Sequence, residues 1–320
     1  TQCARTLYAT SEQLGGTPAT PLKDTTITLS GCSGTGTKTV DAYSAYQYKQ
    51  RMRQRLILVG ANDGMLHAFR DGTGRVDAEC NVQYPANSTG AGEEAWAFIP
   101  SDLLPRLQDM LQGHAYYVDG DIMVRDIWSD ENNDGIKSDN EFHTVAVVAE
   151  GRGGTHYFAL DLRWAPGETG AATVPAFRWM FPQPCTDEAL AFGKTLMSLS
   201  GKPPPIAPVL LSSTTGQVRN PAEPDVKSVE RWVTMLSGGW SPGGEKGRGI
   251  YMVDVWNGKV NARKDNLLWK WEYAPKTTPN AGQKPREYMR YGFVAPVAMA
   301  DYGLNSQPRF DGFADTAVVG

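Results

Sequence analysis

The chain has 320 residues, of which 41% are hydrophobic and 21% charged. That is enough apolar sequence for a sizeable core, and it excludes a disordered tail. A net charge of −4 excludes the basic footprint of a nucleic-acid-binding protein. Apolar runs such as Val145 to Ala149 fall far short of the roughly 18 to 20 residues of a membrane-spanning helix.

The length suits one large or two ordinary domains. With 34 glycines and 21 prolines, about 17% of the chain is turn-forming against a background of roughly 12%, which favours a β protein. The sequence begins at Thr1 without a methionine or a signal-like run and reads as a processed end. Residues 1–50 are rich in Thr, Ser and Gly, with a strand expected at Thr25 to Leu29. They read as a linker, a ring-closing strand or part of another domain, and the main domain is expected over 51–320. Cys3, Cys32, Cys80 and Cys185 form no C-x-x-C pair, and no histidine stands at a zinc-type spacing from any of them. No zinc site is therefore expected. An even count fits two disulfides in an exported protein. Four cysteines allow three connectivities, among which the sequence does not choose; Cys3–Cys32 with Cys80–Cys185 is the working pairing, and four free thiols in a cytosolic protein is the alternative reading.

From Leu56 onward a repeat emerges. Leu56 to Gly60 reads as a buried strand ending in glycine, and the pattern returns at Val145 to Gly151, Val233 to Gly238 and Ala317 to Gly320. The glycines are 91, 87 and 82 residues apart. A second strand follows each of the first three copies: Met65 to Phe69, Tyr157 to Asp161, Ile250 to Asp254. An aromatic strand comes next: Trp96 to Pro100, Trp179 to Pro182, Trp269 to Tyr273. A fourth strand precedes the next copy: Tyr116 to Val124, Pro205 to Leu211, Phe293 to Met299. Four short strands per repeat with glycine turns and a recurring aromatic describe a β-propeller blade. The repeats exceed the usual 40 to 50 residues per blade, so the excess lies in insertions between strands. The fold class is all-β, a modified β-propeller with quinoprotein-like repeats and long inter-strand insertions. Three repeats and one strand of a fourth fit, so the chain reads as part of something longer. Ser101 to Gln112 is the clearest helix and is expected on the propeller rim. Ser101 would cap it, Leu103, Leu104, Leu107 and Leu111 would share one face, and Gly113 would stop it.

The strongest chemical signal is Asp130 to Glu141, which matches the calcium loop D-x-[DN]-x-[DN]-G-x5-E at every position. Calcium takes six to eight hard oxygen ligands. Asp130, Asn132 and Asp134 alternate toward one centre, and Gly135 allows the sharp turn that offers the Ile136 carbonyl. Ser138 acts directly or through water, and Glu141 closes the site with two oxygens. The flanks Ile127-Trp128 and His143 to Val147 read as strands rather than EF-hand helices. The loop is therefore expected as a structural clamp between two strands. A weaker cluster, Asp301, Asn305, Asp311 and Asp315, brackets a glycine loop without D-x-D alternation and is most simply an ordinary turn.

Gly239 to Gly243 satisfies G-x-S-x-G, but a nucleophile elbow leads from strand into helix. Here Pro242, Gly243 and Gly244 continue into a hairpin loop, so no hydrolase and no other enzyme is expected. His67, His114, His143 and His156 are dispersed and read as packing or surface residues.

The run Val59-Gly60-Ala61-Asn62-Asp63-Gly64-Met65-Leu66-His67-Ala68-Phe69, then Glu94 to Ser101 and Tyr117 to Gly120, closely resembles the C-terminal domain of the PilY family. These are bacterial type IV pilus tip adhesins and biogenesis factors. Gly151 to Asp161, Pro205 to Val209, Gly249 to Asp254 and Pro296 to Gly320 are similar too. The resemblance implies a modified propeller exported to the pilus tip, cell surface or outer membrane. It implies work with minor pilins in pilus assembly, extension against retraction, twitching motility and adhesion to a host or abiotic surface ligand, with Ca2+ as the governing ion. The family's usual calcium loop near its last block is broken at Asp301 to Asp315, which leaves Asp130 to Glu141 as the working site. The competing readings are a pyrroloquinoline-quinone dehydrogenase, whose adjacent cysteine pair is absent here, and a periplasmic scaffold propeller.

Overall fold

The computed structural model describes residues 24–29, 36–85, 88–162, 174–197, 199, 205–212, 228–256, 266–275, 286–301 and 313–319. In chain order the strands and helices begin with β1 (Asp24–Leu29) and β2 (Gly36–Asp41), a hairpin, followed by helix α1 (Ala42–Gln50). Next come β3 (Leu56–Gly60), β4 (Leu66–Arg70), the short β5 (Arg75–Val76) and β6 (Val82–Gln83), and β7 (Glu94–Phe98). Then follow β8 (Ile122–Trp128), β9 (Phe142–Ala149), β10 (Tyr157–Asp161), β11 (Ala176–Phe181) and the short helix α2 (Asp187–Ala191). The remainder holds β12 (Ile206–Ser212), β13 (Ser228–Ser237), β14 (Gly249–Asp254), β15 (Leu267–Glu272), β16 (Ala298–Ala300) and β17 (Thr316–Val318).

The strands form antiparallel sheets in sequence order: β3-β4-β7, then β8-β9-β10-β11, then β12-β13-β14-β15, with β16-β17 beginning another. This is an all-β, propeller-like fold. The recurring tryptophan occupies the same register in all three large sheets. Trp96 pairs with Ala68, Trp179 with Ala159 and Trp269 with Met252. At or just beyond that pair each sheet carries a register irregularity, between Ala68 and Phe69, Ala159 and Leu160, and Met252 and Val253. One extra residue on a strand bends it and sharpens its twist, so the blades share their curvature as well as their strand count.

The blade boundaries lie one strand away from the expected ones. The strand expected to close each repeat instead opens the following sheet: β8 pairs with β9, and β12 with β13. A tandem repeat fixes a period and leaves the phase open; antiparallel pairing of β8 with β9 and of β12 with β13 decides it.

The central strands β9 and β10 of the second sheet are buried on both faces. Val145, Val147 and Ala149 of β9 and Tyr157 and Ala159 of β10 join the core shared with the third sheet. Their neighbours Val148, Phe158 and Leu160 join the core under the first sheet. Successive side chains point to opposite faces of a strand, so one apolar run serves two cores.

Two helical expectations need correction. Ser101 to Gln112 is a 3-10 helix over Leu104–Leu111 whose first cap is Leu103, not Ser101. Its three-residue turn places Leu107 and Met110 against the core and leaves Leu111 92% exposed. The expectation for residues 1–50 did not include α1. Asp41 caps it by accepting from the Ser44 amide at 2.9 Å, and Ala42, Tyr43, Ala45 and Tyr46 are buried. Tyr43 donates to Asp126 on β8 at 2.9 Å, and the Tyr46 hydroxyl meets Thr144 on β9 at 2.7 Å. Both rings pack on Phe142.

The expected pairing of Cys80 with Cys185 does not form. Cys80 is disulfide-bonded, whereas Cys185 is a free, exposed thiol. With Cys185 free, four cysteines cannot make two bridges. Cys3 and Cys32 lie outside the described residues.

Candidate metal centre

Residues 129–141 connect β8 to β9, whose last and first residues, Trp128 and Phe142, face each other in register. The loop is thus a strand-to-strand insertion within one blade. Its local sequence dictates its shape. Asp130 accepts from the amides of Asp134 at 3.1 Å and Gly135 at 3.1 Å. Asn132 Oδ1 accepts from the Asp134 amide at 2.8 Å, and Asp134 Oδ1 from the Ile136 amide at 2.7 Å. Such Asx bonds wind the chain tightly, and Gly135 sits in the left-handed region with φ +70°.

This winding gathers Asp130, Asp134 and Glu141 so that one carboxylate oxygen of each lies within 4.8 Å of the others. Asn132 Nδ2 donates to Asp134 Oδ2 at 3.0 Å, which places its amide at the same cluster. Glu141 is 1% exposed. Its Oε2 accepts from the Ser138 amide at 3.0 Å and faces Trp128 Nε1 at 3.4 Å, while its Oε1 is buried and receives no donor. A buried carboxylate oxygen without a partner costs roughly 1–3 kcal/mol or more. A hard cation among these oxygens would remove that cost, so the donor set fits calcium. Ile136 and Ser138 enter the same loop through their amides, which donate to Asp134 and Glu141.

Sequence reasoning missed what anchors the loop. Lys137 and Glu230 form an ion pair of 2.7 Å with both side chains 1% exposed, tying the loop to β13. Lys49 of α1 pairs with Asp139. Glu131 accepts from Trp256 Nε1 at 3.1 Å and lies 3.3 Å from the buried His143. The loop is therefore held at three points by other elements, and no local pattern encodes those partners.

Of the weaker acidic cluster, Asp301 and Asp315 lie beside the ends of β16 and β17, where the Asp315 amide bonds the Ala300 carbonyl at 3.1 Å. Asn305 and Asp311 lie outside the described residues. Ser241 of the G-x-S-x-G run sits in the β13–β14 connection, where its hydroxyl accepts from the Lys246 amide at 3.0 Å.

A second titratable cluster, also missed, joins Asp102, Glu150 and His156 within 4.8 Å. Burial opposes charge on the His156 ring, but hydrogen bonds to Asp102 and Glu150 outweigh it and push the imidazole up to about 9. Burial, with the neighbouring Asp102 charge, raises Glu150 to about 7. Burial also acts to raise Asp102, but its contacts with His156 and Glu150 hold it below the usual carboxylate range. Lys194 and Arg106 stand nearby, and burial lowers the Lys194 amine. Because the folded state holds the His156 proton more tightly than the unfolded chain, that stabilisation is complete below about pH 6.5 and fades as pH rises through about 9. Chelator-treated protein should thus lose on the order of 2 kcal/mol between those limits. Urea unfolding at the two pH values tests this, and an equally steep loss in His156→Gln would refute the assignment.

The sheets, their repeated tryptophan and the calcium-type hairpin define a β-propeller-type domain. Residues 34–182 match the family model described as the PilY1 beta-propeller domain. Over these residues the chain is similar to the PilY family. It is 36% identical over 124 residues to a type IV pilus biogenesis factor PilY1 homolog of Xylella fastidiosa, covering 38% of this chain and 8% of that protein. It is 31% identical over 156 residues to the type IV pilus biogenesis factor PilY1 of Pseudomonas aeruginosa, covering 44% of this chain and 11% of that protein. The crystal structure of the Pseudomonas aeruginosa PilY1 C-terminal domain aligns with a TM-score of 0.45 and 20% identity, over 86% of this chain and 38% of that one. The chain thus matches about a tenth of the length of these curated relatives.

Proposed function

We propose that this chain is a calcium-binding propeller module of a type IV pilus biogenesis factor, exported to the pilus tip, cell surface or outer membrane. In this reading it works with minor pilins in assembly and in extension against retraction, and it supports twitching motility and adhesion to a host or abiotic surface ligand. The relatives' naming as pilus biogenesis factors supports the pilus role. No helix among the described residues is long and apolar enough to cross a membrane. The observation that carries the calcium reading is the buried, donor-less Glu141 Oε1 beside Asp130 and Asp134.

Bound calcium would supply positive charge that neutralises three crowded carboxylates. Asp130, Asn132, Asp134, the Ile136 carbonyl, Ser138 and Glu141 would hold it. Lys137 fixes the far side of the loop to β13, so ordering at the carboxylates is transmitted to the third sheet. The chain's contribution is binding and shape, not catalysis.

Calorimetry on the chelator-stripped 320-residue chain should show one Ca2+ per chain, lost in Asp134→Ala and retained in Asp311→Ala. With a Kd of about 10 µM, 1 mM calcium would stabilise the fold by ~2.7 kcal/mol. A bacterium whose own copy carries Asp134→Ala should show smaller twitching zones and altered surface piliation. Unchanged calcium affinity in Asp134→Ala would overturn the site, and unchanged motility in that strain would overturn the pilus role assigned to it.

A further inference from the structure

The geometry points to a second divalent-cation site, distinct from the calcium-type loop, formed by Asp102, Glu150 and His156 and suited to a first-row transition metal such as Zn2+. Three separate segments supply the donors: the stretch after β7, the end of β9 and the entry to β10. His156 Nδ1 lies 3.1 Å from Asp102 Oδ2 and 3.7 Å from Glu150 Oε2. The His156 amide donates to that same Glu150 oxygen at 3.0 Å, and Thr155 Oγ1 stands 3.4 Å from Nδ1. One ligand atom from each residue falls within 4.8 Å of the others, a span that a metal with bonds near 2 Å can bridge.

Two carboxylate oxygens without donors favour an ion over a plain salt-bridge network. The Glu150 side chain is fully buried, yet its Oε1 receives no donor, and the buried Asp102 Oδ1 receives none either. The single imidazole Nδ1 already lies beside the other oxygen of each carboxylate and does not satisfy these two. Metal binding displaces the His156 ring proton to solvent, and the two carboxylates with the resulting neutral imidazole then neutralise a divalent cation. An imidazole among carboxylates suits zinc or manganese better than the all-oxygen shell calcium prefers. The Asp102 and His156 side chains are 20% and 15% exposed, which leaves an entry path and room for water as the remaining ligand. The site would pin the segment leaving the first sheet to the β9–β10 turn of the second, independently of the loop at the opposite end of β9.

The test is equilibrium dialysis of the chelator-stripped 320-residue chain against Zn2+ and against Mn2+, with metal counted by mass spectrometry and 1 mM Ca2+ present throughout. One Zn2+ per chain is expected, unaffected by Asp134→Ala and weakened at least tenfold by His156→Gln. Asp102→Asn, at the exposed edge of the cluster, should weaken it similarly and provides a variant whose fold is readily kept and checked by circular dichroism. Three results would each overturn the proposal: no binding of either metal up to 100 µM, unchanged affinity in folded Asp102→Asn, or loss of zinc through Asp134→Ala.

Discussion

Lys137→Ala is expected to lower the unfolding free energy by ~3–5 kcal/mol. The Lys137 ammonium contacts Glu230 Oε1 at 2.8 Å and Oε2 at 2.7 Å, with both side chains 1% exposed. Trp232 Nε1 also donates to Glu230 Oε1 at 3.0 Å, and the ammonium sits 5.1 Å from the Trp128 ring centroid. Truncation strands the Glu230 carboxylate in the core without its cation, and that uncompensated charge is the source of the loss. The double variant Lys137→Met with Glu230→Gln removes both charges and keeps most of the volume, so it should recover most of the stability. Chemical unfolding of the three proteins measures this. A Lys137→Ala variant within about 1 kcal/mol of the parent would mean that the pair carries little weight. Calcium affinity should fall in Lys137→Ala as well, because the loop loses its attachment to β13 and must be ordered by the ion itself.

Gly153→Ala is expected to be at least as damaging, with a loss of ~3 kcal/mol or more. A Cβ at Gly153 would lie 1.5 Å from the Tyr117 carbonyl oxygen and 2.1 Å from its carbonyl carbon. Those atoms are backbone and cannot swing aside as a side chain could. The turn between β9 and β10 would have to withdraw from the segment carrying Tyr117 and Val118, both buried between the first and second sheets. Gly135→Ala is the informative contrast: a Cβ there meets nothing within 4 Å, and only the φ of +70° resists it. Its expected cost is ~1–2 kcal/mol, felt mainly as weaker calcium binding. Thermal unfolding of both variants separates crowding from backbone conformation, and equal effects would contradict the packing argument.

The tight turn of the Asp130 to Glu141 loop was legible because the bonds that wind it are local, whereas the partners that anchor it are not. Asp130, Asn132, Asp134 and Gly135 build the turn from bonds reaching five residues or fewer. The repeated tryptophans were legible for a similar reason: period and spacing survive in one dimension. The helix at Ala42–Gln50 was not recognised, because the Thr- and Gly-rich sequence before it obscured the Asp41 cap and the Tyr43/Tyr46 face. The cysteine pairing failed because connectivity depends on which loops the fold brings together. The clusters Lys137–Glu230 and Asp102–Glu150–His156 join residues up to 93 positions apart, and no spacing rule relates them.

The sequence by itself determined the class of fold, the period of the blades, the tight winding of the Asp130 to Gly135 turn and the family resemblance. Each depends on side-chain alternation or on bonds between near neighbours. Only the tertiary structure decided which strand opens each blade, that Cys185 stays free and which charges meet in the core. Those outcomes are selected by burial: a charge enclosed between the sheets is costly without a partner, and the partner is set by proximity in space rather than along the chain.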